Sequence, residues 1–199
     1  MLFLLSFFLI SCSPTQSNTQ TQIITINYSP FIKFQMNEVY ACANDLSIIL
    51  KVADKSPEIT FRFGEPDILL NHAYQVGEEE IIIVTNSQSE LQMLSLNEVQ
   101  NLFTSGENIW VYSSDSEMQR VFDQTAMQGR SVSSSAKVAP NPNIMIQMLE
   151  ENPNAIGFIP KSLLNQNLKE IYSVGVFPVL ALTETEPQGA VKSLLNCLQ

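Results

Sequence analysis

The residues best placed to do chemistry lie close together in the string YSSDSEMQRVF, in which Ser114, Asp115, Ser116 and Arg120 fall within seven positions. Behind them, Met118, Val121, Phe122, Thr125 and Ala126 recur at helical spacing, so the serines stand at a helix start. A helix start carries unpaired N–H groups and the positive end of the dipole, which suits a small polar or anionic solute. Arg120 lies about one turn further on, where it can bond an oxyanion or pair with Glu117 three residues earlier. Ser114 and Glu117 also have capping-box spacing, a feature that begins a helix without any ligand. Asp115 restricts the solute: a carboxylate accepts a bond from a ligand that can donate, and disfavours a fully ionised one. A second hydroxyl, Ser29, follows the β-branched run QIITINY in the turn Tyr28-Ser29-Pro30-Phe31.

Catalysis finds less support. His72 is the one histidine and has no cysteine near it at metal-ligand spacing. Neither G-x-S-x-G, H-E-x-x-H nor G-x-x-x-x-G-K-[ST] occurs, and no cofactor is implied. Glu78-Glu79-Glu80 reads as a solvated turn before a strand, because three adjacent charges do not all point into one site. Twenty acidic against ten basic residues leave a net charge of −10, a field that repels phosphate backbones and argues against nucleic acid.

The first ten residues are almost wholly apolar and run into Leu9-Ile10-Ser11-Cys12. The run is too short to span a bilayer, which takes roughly 20 residues, and fits the apolar part of a signal peptide. The tetrapeptide is a lipobox and resembles bacterial lipoprotein signals. Residues 1–11 are then a leader, Cys12 is the acylated first residue of the mature chain, and the polar residues 12–21 are a tether.

The elements that would position the serines alternate between strands and amphipathic helices, the pattern of an α/β fold with mostly parallel sheets. Residues 22–28, 58–63, 81–84, 109–112, 155–159 and 176–182 read as strands. Residues 81–84 are apolar throughout, as in a central strand, and Pro178 places its strand at an edge or starts it later. Helices are expected over 38–54, where Val39, Cys42, Leu46, Ile49, Leu50 and Ala53 share a face; from a capping box at Ser95 and Glu98 to Gly106; from Ser114 to about Gly129; from a cap at Asn143 to Glu151; and at the C-terminus, with Val191, Leu194, Leu195 and Leu198 on its apolar face.

The order of these elements, with three strings, resembles the phosphate-type solute-binding proteins of ABC transporters, a type II periplasmic binding protein-like class. The strings are SLNEVQNLF followed by Gly106, YSSDSEMQRVF, and PNAIGFIP at 153–160. The resemblance implies two lobes joined by two crossover segments, lobe I over 22–84 and 174–199 and lobe II over 85–173. A solute would bind between them against Ser29, Ser114, Ser116 and Arg120, and an ABC transporter permease would receive it. The glycines that flank the family's serine are Asp115 and Glu117 here. The same resemblance places the helices of Cys42 and Cys197 in one lobe, which leaves two outcomes: a disulfide, or two separate buried thiols. The altered loops also allow a surface lipoprotein that acts as a sensor or adhesin without uptake.

Overall fold

The computed structural model describes residues 21–66 and 72–199. The expected leader, Cys12 and the expected tether up to residue 20 lie outside that range. β1 (Gln22–Tyr28), β2 (Ile48–Val52) and β3 (Ile59–Phe63) precede a long β4 (His72–Asn86), and β5 (Trp110–Val111), β6 (Lys137–Val138), β7 (Ile156–Pro160) and a second long strand, β8 (Leu168–Thr183), follow. The helices are α1 (Met36–Asp45), α2 (Leu96–Ser105), α3 (Glu117–Phe122), α4 (Pro142–Glu151) and α5 (Gly189–Leu198).

Six strands form one sheet in the order β2-β1-β3-β8-β4-β7, and β5 pairs with β6 beside it. Pairing is parallel across β2, β1 and β3 and between β5 and β6. It is antiparallel where β8 and β4 enter. β4 and β8 stay paired from His72 opposite Thr183 to Asn86 opposite Leu168, with three register shifts that add local twist. β3 attaches to β8 at residues 179–182, whereas β7 attaches to β4 at residues 81–85. Two groups of strands thus hang from opposite ends of one two-stranded ribbon, and the stretch of ribbon between them has neither neighbour.

Both groups contribute to one continuous core. In the first, Ile24, Ile26, Ile59 and Phe61 are at most 1% exposed, beneath Val39 of α1 and Leu194 and Leu195 of α5. Burying side chains of this kind contributes roughly 1.5–3 kcal/mol each. In the second, the Phe122 and Phe158 rings stack at 4.1 Å, and Phe103 lies 4.7 Å from Phe122. Ile81, Ile82, Ile83 and Val84 are fully buried, as their unbroken apolar run requires.

Several expectations need correction. The helix expected over 38–54 ends at Asp45, Ser47 takes a left-handed φ of 56°, and residues 48–52 form β2 parallel to β1. β-branched Ile48 and Ile49 gain a partner strand, while Leu46 and Ile49 are exposed. The cap of α3 is Ser116, not Ser114, because the oxygen of Ser116 meets the Gln119 N–H at 3.1 Å. Asn141 caps α4 two residues before Asn143, with Pro142 in the first turn, where a missing N–H costs nothing. Glu78, Glu79 and Glu80 lie within β4. Glu79 is buried and bonded to the backbone and hydroxyl of Ser162, while Glu80 meets Lys161 at 2.8 Å and Ser173 at 2.6 Å. Pro178 lies inside β8, between β3 and β4. Its carbonyl accepts from Gly64, and its nitrogen faces the same side, where β3 leaves the sheet and asks for no donor.

Candidate functional site

β1 ends at Tyr28, and Ser29 begins a short 3-10 turn, Pro30–Ile32. The Ser29 N–H donates to Phe61 O at 3.0 Å, which ties the turn to β3, and its Oγ accepts from the Phe31 N–H at 3.4 Å. Ser116 does the same at the start of α3. Each hydroxyl oxygen therefore serves as a cap acceptor, and each keeps an O–H proton to donate. The two serines line one open cleft of 360 Å³, with Asn27 and Thr60 on the side of β1 and β3 and Tyr112, Asp115 and Glu117 on the side of α3.

The far wall is held by identifiable contacts. Tyr112 is 2% exposed, its O–H donates to Phe158 O at 3.0 Å, and its N–H donates to Gln119 Oε1 at 2.9 Å. Gln119 in turn donates to Asp123 at 2.8 Å, where burial raises the carboxyl pKa. Burial also pushes the Tyr112 phenol far above its ordinary value, so it stays neutral. Phe31 meets the Tyr112 ring edge-on at 4.8 Å and joins the two walls. Asp115 is held below the usual carboxylate range by the Ser113 hydroxyl, by its own backbone N–H and by the nearby charge of Arg120. The cleft therefore contains an ionised carboxylate near neutral pH.

The other residues read from the sequence lie elsewhere. Ser114 lines a neighbouring surface cavity of 610 Å³ with Arg130 and Ser133, sharing Tyr112 and Ser113 as a common wall. Arg120 is not among the residues lining the cleft, and its charge adds only a small further lowering to the Asp115 pKa. His72 opens β4 and is exposed. Cys42 of α1 and Cys197 of α5 are joined in a disulfide, the first of the two outcomes left open above. Among the described residues no group of three or more His, Cys, Asp or Glu is placed to hold a metal.

Glu117 is the residue that sequence reasoning missed. Its carboxylate accepts the Phe63 N–H at 3.0 Å and lies 3.5 Å from Arg62 Nε, so α3 is bonded directly to the end of β3. Its partners are more than fifty positions away in the chain, beyond the reach of any local pattern.

No protein family model matches the chain, and no curated protein does. Solved structures do. A putative phosphate ABC transporter substrate-binding protein with bound phosphate from Clostridium perfringens superposes with a TM-score of 0.77 at 13% identity, covering 89% of this chain and 93% of that one. The chain has a periplasmic binding protein-like fold. An ABC-type phosphate transport receptor from Vibrio cholerae shares this fold at a TM-score of 0.66 and 14% identity, over 88% and 93% of the two chains. So does the OxyR2 regulatory domain from Vibrio vulnificus, at 0.69 and 12%, over 94% and 96%. The fold thus serves both transport receptors and regulatory domains, and among the described residues of this chain no helix is long and apolar enough to cross a membrane.

Proposed function

We propose that this chain is an extracytoplasmic receptor, lipid-anchored at Cys12, that captures a small polar or oxyanion solute between two lobes for an ABC transporter. One observation carries the reading: Ser29 and Ser116, from opposite ends of the β4–β8 ribbon, line one cleft with both hydroxyl protons available to a ligand. In this proposal residues 22–84 with 174–199 make the first lobe, residues 85–173 make the second, and the ribbon is the hinge. Arg120 tunes the site through Asp115, and Ser114 shapes its rim.

The test is calorimetry with inorganic phosphate, sulfate, sugars and amino acids. For a solute that binds, Ser29→Ala with Ser116→Ala weakens affinity by about 10- to 100-fold, the worth of one or two donated bonds. Unchanged affinity would place the site elsewhere. The anchor is tested by fractionating cells that express Cys12→Ala: the variant leaves the membrane, whereas continued processing and retention would refute acylation at Cys12.

A second reading is a sensor or adhesin with the same fold and no uptake. It is favoured by the two carboxylates in the cleft and by the regulatory-domain neighbours. Here the solute panel is flat, and a partner protein binds the folded domain.

A further inference from the structure

The cleft already contains an anion of its own. Glu117 stands at the first position of α3, and its two carboxylate oxygens reach across to β3, one to the Phe63 N–H at 3.0 Å and the other towards Arg62 Nε at 3.5 Å. Where these groups meet, the lobes touch closely: at Gly64, just after β3, an added Cβ would come within 2.9 Å of Val121 Cγ2. A backbone N–H beside a guanidinium is the donor pair that a carboxylate or phosphate oxygen seeks. The fit of Glu117 to this pair is incomplete, since Arg62 Nε is buried and its contact with Glu117 is an ion pair without hydrogen-bond geometry. Asp115, two residues earlier and ionised, adds a second negative charge to the same cleft.

We propose that Glu117 acts as a built-in ligand that decides which solutes the cleft accepts. Seated on Arg62 and Phe63, it occupies the anion donors of the first lobe and holds the lobes together with no solute bound. A multiply charged anion in the cleft meets two carboxylates, and the donors of Arg62 and Phe63, which do not line the cleft, are reached only by displacing Glu117. A neutral or proton-donating polar solute is bound by Ser29, Ser116 and Thr60 without displacing Glu117. This inference rests on the receptor reading above and narrows its solute class.

The test uses the nitrogen-15-labelled protein, inorganic phosphate as the probe, and the resonances of the Phe63 amide and Arg62 Nε–H as the readout. In the native protein both resonances stay unmoved by phosphate at millimolar concentration. In Glu117→Ala both shift saturably, with affinity for phosphate at least about tenfold above that of the native protein, the worth of a charge-assisted bond. Glu117→Gln keeps the shape without the charge, and it gives the same change in affinity if the alanine variant fails to fold. Phosphate that moves both resonances as readily in the native protein as in the variants would overturn the proposal and leave the receptor reading intact. Resonances unmoved by phosphate in both variants would also overturn it, because the vacated donors would then be no anion site.

Discussion

Ser29 and Ser116 were legible as candidate site residues because each combines a hydroxyl with a turn or helix start, and both are local features. Their roles as caps leave the oxygens engaged and the protons free, which favours a ligand that accepts bonds. Ser114 has the same local signature and lines a different cavity, because the helix begins two residues later than its spacing with Glu117 indicates. Glu117 shows the limit of that method: a carboxylate three positions after a serine reads as half of a capping box, and only the folded chain brings Arg62 and Phe63 to it. Tyr112 supports the site from behind, through its bond to the buried carbonyl of Phe158. Tyr112→Phe leaves that acceptor unpaired, so chemical denaturation should show a loss of about 1–3 kcal/mol. No loss would mean that water or another donor replaces the phenol.

At the scale of elements, β1 and the strand run at 81–84 were readable because a β-branched run has one good solution, a buried strand. The segment after α1 was not. Leu46, Ile49, Leu50 and Ala53 continue the helical spacing of Val39 and Cys42, yet pairing with β1 wins over periodicity and turns 48–52 into an edge strand. Pro178 misled for a related reason: it sits inside a sheet at the one place where its neighbouring strand ends. α1 and α5 are held by the Cys42–Cys197 bond across 155 positions of chain. Replacing both cysteines by serine should lower stability by about 5 kcal/mol in the chain-entropy model, read as a drop in the denaturant midpoint with a steeper slope, because the unlinked unfolded chain exposes more surface. A midpoint that stays in place would show that the helices pack as well without the bond.

At the scale of the whole molecule, the β4–β8 ribbon joins everything, and the charges along it make it responsive to acid. Glu80 lies below the usual carboxylate range, first because of its bond to Lys161 and then because of its bond to Ser173. A group whose folded pKa is lowered contributes stability that is full above its unfolded pKa and is lost as pH falls through the folded value. The unfolding midpoint should therefore fall as the solution is acidified below the ordinary carboxylate range. Lys161→Met should flatten part of that fall, and an unchanged pH profile in this variant would detach the ion pair from stability.

The central claim, that the cleft between the two groups of strands captures a small solute, is tested most directly by the thermal unfolding midpoint of the folded chain across a panel of oxyanions, sugars and amino acids. A ligand that binds only the folded state at a hundred times its dissociation constant adds about 2.7 kcal/mol. The account predicts that at least one solute raises the midpoint in a concentration-dependent way, and that Ser29→Ala with Ser116→Ala makes the rise clearly smaller at the same solute concentration. A panel that leaves the midpoint unmoved, or a rise of the same size after the double substitution, would contradict it.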